Sequence, residues 1–257
     1  MNIKSNGKQP HSIKVNVARF TLKSTTLPSI ENALPFAELV RRALICLRAD
    51  HPHSEVITGK RADGVPLEGH AHAHYFATDE DEDGRLDHIT IVAQRGFDNE
   101  DVAALVKLSQ VSSYDRRSKI EISLDGIGMK EQFAEVSIFK KSHKWHSFTP
   151  FSLPRFGSRG SGKQPRPRDL PEAQLKRELA SRHLPQPLSI RLIDGYLAKC
   201  QLIKWSDFYC RRFNATEGHG LAGFEIEFPT AVSGPIAVGF ACHFSLGLFL
   251  PIGEAKC

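Results

Sequence analysis

The sequence predicts an α+β chain built from two consecutive β-α-β-β-α-β halves. Three observations carry that expectation: short alternating strand patterns, two amphipathic helices spaced between them, and a second run of strands and helix after residue 136 that begins the same order again. The 257 residues are enough for one large or two small domains, and 40% hydrophobic with 25% charged residues is an ordinary globular composition.

The elements follow in order. Residues 1–12 are polar and read as an unstructured tail without the apolar core of a secretory signal. Residues 14–22 (KVNVARFTL) alternate with period two, as a half-buried strand does. Leu34-Pro35 opens a helix whose apolar positions Phe36, Leu39, Val40, Ala43, Leu44 and Leu47 recur at three and four. Residues 51–69, broken by Pro52, Gly59, Asp63-Gly64 and Pro66, form a loop. Strands at 70–78 and 86–94 flank a tight acidic turn, a helix covers 99–110 with Val102, Leu105 and Leu108 on one face, and 119–124 (KIEISL) is a strand. That order is the ferredoxin-like unit.

In the second half, residues 145–153 are strand-like, a basic loop spans 154–168, and a helix runs from Pro171 to about His183. Strands are expected at 190–193, 208–213 and 223–228, followed by a glycine-punctuated apolar segment at 234–251. No second helix is legible here. The division is therefore a tail (1–12), a first ferredoxin-like domain (13–136) and a second (137–257).

Charge is unevenly spread. Residues 136–182 hold eleven Lys/Arg against three acids, a local +8 within a total of +5, which leaves the remainder at −3. A basic block on a near-neutral body suits a polyanion partner, or is a solvated loop. Its guanidinium groups at Arg155, Arg159, Arg166 and Arg168, with Lys163, match phosphate oxygens, and Lys176, Arg177, Arg182, Arg211 and Arg212 extend the same surface. Trp145, Phe148, Phe151, Trp205 and Tyr209 are available to stack on bases, though most are expected in the core. No apolar run approaches the ~18–20 residues that cross a bilayer. The five cysteines (46, 200, 210, 242, 257) show no CxxC spacing, so a reduced, cytoplasmic protein is expected.

Residues 69–74 read GHAHAH. On a strand His70, His72 and His74 would share one face. Such a face can supply a general acid and a general base, bind a metal, or be structural. Residues 79–87 (DEDEDGRLD) match the first nine positions of a calcium loop, but Thr90 stands where the bidentate Glu belongs, and a hairpin turn is favoured. His243 lies within the terminal segment, where Gly234, Gly239 and Gly247 would let a nucleic-acid backbone approach peptide N–H groups.

Taken together, LPFAELVRRAL, GHAHAHYFATDEDEDGRLDHITI, WHSFTPFSLPR, PEAQLKRELASRHLPQP and GPIAVGFACHFSLGLFLP resemble the processing portion of the fused backbone-and-processing subunit of type I-U (I-G) CRISPR–Cas systems. The resemblance spans about residues 15–251. It implies tandem ferredoxin-like (RNA-recognition-motif-like) domains and an endoribonuclease that cuts CRISPR precursor RNA within its repeats. It also implies cleavage without metal or cofactor, leaving a 2′,3′-cyclic phosphate. The product crRNA would stay bound and join other interference-complex subunits. The family's histidine motif falls on Gly69, His70 and His72, and its glycine-rich loop on residues 234–249. His70 and His72, with His243 third, are thus the acid–base candidates. The family's backbone-type half has no counterpart in these residues, so the chain is expected to be a stand-alone processor or the processing part of a fusion. The alternatives are a non-catalytic crRNA-binding subunit and, third, a metal hydrolase using His70, His72 and His74.

Overall fold

A computed structural model describes residues 15–48, 54–67, 72–112, 119–155, 166–199, 201–212 and 219–253. The first half contains β1 (Val17–Lys23), α1 (Ala33–Leu47), the single-turn α2 (Glu55–Thr58), β2 (His74–Thr78), β3 (His88–Val92), α3 (Asn99–Lys107), β4 (Gln110–Ser112) and β5 (Lys119–Gly128). Its antiparallel sheet has the order β2-β3-β1-β5-β4. Without the short edge strand β4, that is the ferredoxin-like arrangement, with the first and third strands adjacent at the centre.

The central position of β1 explains a departure from its pattern. Alternation predicts a half-buried strand, yet Val17 through Phe20 are all buried. Arg19 tolerates this because its guanidinium meets Glu80 at 2.7 Å and Thr90 Oγ1 at 3.3 Å. The expected loop at 51–69 contains α2, whose first turn is capped by Ser54 accepting from Ile57 N at 2.9 Å. Helix α3 begins at an Asp98–Asp101 capping box and stops three residues earlier than its periodicity suggests, because residues 110–112 pair with β5 instead.

The second half contains β6 (Lys141–Ser147), β7 (Phe151–Ser152), α4 (Pro171–Ser181), β8 (Ser189–Ile193), the hairpin β9 (Gly195–Ala198) and β10 (Gln201–Lys204), then β11 (Leu221–Ser233), β12 (Ile236–Ala237) and β13 (Leu248–Pro251). Strand β6 lies between β13 and β11, and β8 pairs with the other side of β11. The order β13-β6-β11-β8 repeats the first half. Where a second helix would follow β11, residues 238–247 form a tight loop with one 3-10 turn (Cys242–Phe244). Two expectations are corrected here. No strand occupies 208–212; Trp205 and Phe208 are buried and Tyr209 N bonds to Glu31 O, so the chain serves as a clasp to the first half. The β9–β10 hairpin falls where no strand was expected.

The halves share one buried cluster that includes Phe20, Phe76, Phe148, Phe244 and Leu246. Of the aromatics available for stacking, Trp145, Phe148, Phe151 and Trp205 are buried, and Tyr209 is 63% exposed. No helix among the described residues is long and apolar enough to cross a membrane.

The acidic segment after β2 is a turn closed by its own carboxylates. Asp79 accepts from Asp83 N at 3.1 Å and Gly84 N at 2.7 Å, and Asp87 accepts from Glu80 N. Burial raises the Asp79 carboxyl to about 6, against the opposing pull of the two backbone N–H groups. The folded protein therefore holds this proton more tightly than the unfolded chain, and stability falls as pH rises from about 4 to about 6. Thermal melts across that window should show this slope in the wild type and a flatter one in Asp79→Asn. Parallel slopes in the two proteins would assign the pH dependence elsewhere.

Candidate active site

The loop that replaces the missing helix is held from several sides. Val238 N bonds to Gly247 O at 3.0 Å, Phe240 N to Ser152 O at 2.9 Å, and Gly247 N to Pro150 O at 2.8 Å. Gly239 N donates to Glu178 Oε2 on α4 at 3.0 Å. Ser245 ties the loop to the first half: its hydroxyl accepts from Ala77 N at 2.8 Å and donates to Tyr75 O at 2.6 Å, both on β2. Ala241 and Ser245, either side of the 3-10 turn, adopt the left-handed conformation at φ 57° and 65°. Non-glycine residues hold that conformation only where surrounding contacts over-determine it.

The consequence is the placement of His243. Its ring stacks on His72 with centroids 3.6 Å apart and 19° between planes, and lies 3.9 Å from the ring of His74 at 32°. His72 and His74 are themselves 6.4 Å apart and nearly parallel, so His243 is inserted between them. The expected one-faced histidine row is thus realised for His72 and His74. His72 sits in the bend preceding β2 rather than on the strand, and His70 lies outside the described residues. Residues 171 positions apart in sequence form one three-imidazole cluster. His74 is nearly buried at 8% exposure, whereas His72 and His243 are both part-exposed.

Cations contact both sequence neighbours of His243. Phe244 stacks on Tyr75 at 5.9 Å, and its ring also receives the guanidinium of Arg212 at 4.4 Å and of Arg41 at 5.8 Å. Arg212 also pairs with Glu38 at 2.9 Å, and Arg41 bonds to the carbonyls of Ile57 and Thr58. Burial makes Arg41 a somewhat stronger acid than a free guanidinium. On the other side Arg182 pairs with Glu178 at 3.0 Å and reaches Cys242 Sγ at 3.5 Å.

Arg155, Arg166, Arg168, Lys176 and Arg177 are all exposed beside α4, and Arg159 and Lys163 lie outside the described residues. Gln174, buried, clamps the backbone of Arg155 through both its amide atoms. Helix α4 is about 16 Å long and runs from this basic segment to Arg182 at the histidine cluster. Arg211 is exposed one residue from Arg212.

The three glycines expected to admit a nucleic-acid backbone are instead filled in by the protein. A Cβ at Gly234 would lie 1.9 Å from Ile138 O, one at Gly239 2.7 Å from Ser152 O and the Phe151 ring, and one at Gly247 1.9 Å from Val238 O. These glycines shape the loop that carries His243.

Searches for a matching family model and for a matching curated protein return nothing. Solved structures similar in outline include "CRISPR associated protein Cas6", at 8% identity and TM-score 0.43, covering 93% of this chain and 99% of that one. A Cas6-related gene product from Pyrococcus furiosus aligns at 11% identity and TM-score 0.41, over 93% and 99%. "Csf5, CRISPR-Cas type IV Cas6 crRNA endonuclease" aligns at 10% identity and TM-score 0.38, over 93% and 100%.

Sequence inspection alone misses Arg41, Ser245 and Glu178. Arg41 carried a usable signal, since it falls at i+4 from Ala37 and i−3 from Leu44 on the apolar stripe of α1. Ser245 and Glu178 gave none, because their partners are distant backbone groups.

Proposed function

We propose that this chain is a metal-independent endoribonuclease that cleaves CRISPR precursor RNA within its repeats. The observation that carries the chemistry is the stack of His72, His243 and His74 where the loop of the second half meets β2. The substrate class and the affiliation with type I-U systems come from the sequence blocks quoted above. In this reading residues 13–136 supply the histidine motif and residues 137–257 the basic segment and glycine-shaped loop, within a reduced cytoplasmic setting. The product crRNA stays bound for hand-over to an interference complex.

RNA scission of this kind needs one group to take the 2′-hydroxyl proton and another to protonate the departing 5′-oxygen. His72 and His243 are the more accessible members of the stack and take these two roles, with His74 positioning the His243 ring. Two imidazolium rings 3.6 Å apart would repel, which disfavours protonating both at once; the reaction draws on the pair with one ring neutral and one protonated. The 2′-oxygen attacks the adjacent phosphorus as its proton passes to the neutral imidazole. The P–O5′ bond breaks as the leaving oxygen gains a proton from the imidazolium, leaving a 2′,3′-cyclic phosphate and a 5′-hydroxyl. Arg212, over the Phe244 ring, and Arg182, at Cys242 Sγ, contact the two sequence neighbours of His243 and are the cations assigned to offset charge developing on phosphorus. His70, ranked with His72 from the sequence and two residues before it, stays a candidate for either role.

Arg155, Arg166, Arg168, Lys176 and Arg177 hold the RNA backbone along α4, Arg211 and Arg212 contact it as well, and Arg159 and Lys163 join them on sequence grounds alone. The test is incubation of chelator-treated protein with its cognate repeat RNA, reading the ends of the fragments. Discrete products with a cyclic phosphate and a 5′-hydroxyl are expected. Bound but intact RNA would make the chain a crRNA-binding subunit instead.

A further inference from the structure

The histidine stack has a fourth neighbour that RNA cleavage does not use. Cys242 immediately precedes His243, is 2% exposed, and points its sulfur into the same cluster. One ring nitrogen of His74, one of His243 and Cys242 Sγ all lie within 4.8 Å of one another. Tetrahedral coordination at ~2.0–2.3 Å from each ligand places donor atoms about 3.3–3.7 Å apart, so small side-chain rotations close the set. A second layer is in place: Arg182 Nη2 approaches the sulfur at 3.5 Å and is itself held by Glu178, which also accepts from Gly239 N. Burial raises the Cys242 thiol and Arg182 only partly offsets it, so a metal ion binds by displacing the thiol proton.

We propose that His74, Cys242 and His243 form a binding site for a borderline-soft divalent metal ion of the zinc class, and that occupancy silences the nuclease. Two imidazoles and a thiolate suit Zn2+ or Co2+ and are poor ligands for the hard cations Mg2+ and Ca2+, which take oxygen. Three protein ligands leave a fourth position for water. Binding replaces the thiol S–H bond with a sulfur–metal bond and releases that proton to solvent. The inhibitory half rests on the nuclease reading above: a metal-bound nitrogen of His243 no longer exchanges a proton at that atom. The site would therefore act as a metal-sensitive brake on an enzyme that itself needs no metal.

The experiment has two arms on the full chain, stripped with chelator and kept reduced. In the first, Co2+ is titrated without RNA and absorption is recorded. One equivalent should bind with a thiolate-to-cobalt charge-transfer band in the near ultraviolet and the visible bands of tetrahedral cobalt, and Zn2+ should displace it. Cys242→Ser should lose the charge-transfer band and bind at least about tenfold more weakly. Absence of that band in the wild type overturns the site, whether or not the variant folds. In the second arm, cleavage of repeat RNA is timed in a buffer holding free Zn2+ in the micromolar range. Wild-type cleavage should fall by at least about tenfold and recover with chelator. Cys242→Ala should cut at the wild-type rate in chelator and resist zinc. Equal zinc sensitivity in the two proteins overturns the proposed brake. If no RNA is cut under any condition, the nuclease reading and the brake fail together, while the cobalt spectrum still decides the site.

Discussion

Replacing His243 with alanine is expected to slow cleavage of bound repeat RNA by about 10²–10⁴-fold, the span ordinarily contributed by one general acid or base, with little change in affinity. The expectation follows from its position: His243 is the member of the stack that touches both other rings, and the phosphate contacts assigned to α4 do not involve it. His72→Ala should fall in the same range, because the loss of either partner removes one of the two proton transfers. His146→Ala provides the contrast. That ring is on β6 beside Tyr196, and its burial disfavours the protonated form. Single-turnover rates with saturating protein separate these cases from weakened binding. A rate for His243→Ala within a few-fold of wild type would remove the stack from the chemistry.

Gly247→Ala is expected to be the most damaging single change to the fold of the loop. The residue has φ +60°, which costs an alanine about 1–2 kcal/mol. The added methyl would also lie 1.9 Å from Val238 O, a backbone atom that cannot turn aside. Relief requires moving β12 or β13, whose two-residue pairing closes the loop. A total loss of about 2–4 kcal/mol follows, lowering Tm by roughly 5–15 °C for a chain of this size. Calorimetry or far-ultraviolet melts of the two proteins give the value. An unchanged Tm would mean that the loop is less constrained than its hydrogen bonds imply.

The first half was almost wholly legible in the sequence, because its signals are local. Strand-like runs located β1, β3 and β5, three-four spacing located α1, and Val102, Leu105 and Leu108 on one face located α3. The second half was legible wherever the same signals held, as in β11 and α4. It was opaque where tertiary contacts decide. Residues 208–212 have a strand's composition, yet burial of Trp205 and Phe208 against the first half overrides it. The exposed leucines of β9 and β10, Leu197 and Leu202, break the pattern that would have revealed the hairpin.

The candidate site divides in the same way. GHAHAH was visible as a histidine row and His243 as an isolated residue in a glycine-rich run, but nothing local says that they meet. Their meeting depends on Ser245 bonding to β2 and on the loss of a helix after β11. The glycines were visible too, but their purpose was not: only the positions of Ile138, Ser152 and Val238 carbonyls show that each glycine makes room for the protein itself.

The most direct test of the central claim is single-turnover cleavage of the cognate repeat RNA in EDTA, run beside the same RNA carrying one 2′-deoxy nucleotide at the cut. The account predicts cleavage of the all-ribose RNA to a cyclic phosphate and a 5′-hydroxyl, and none at the deoxy position, because the attacking oxygen is gone. Cleavage of both RNAs, or cleavage that EDTA abolishes, would contradict it by placing the nucleophile on a water or a metal-bound hydroxide rather than on the RNA.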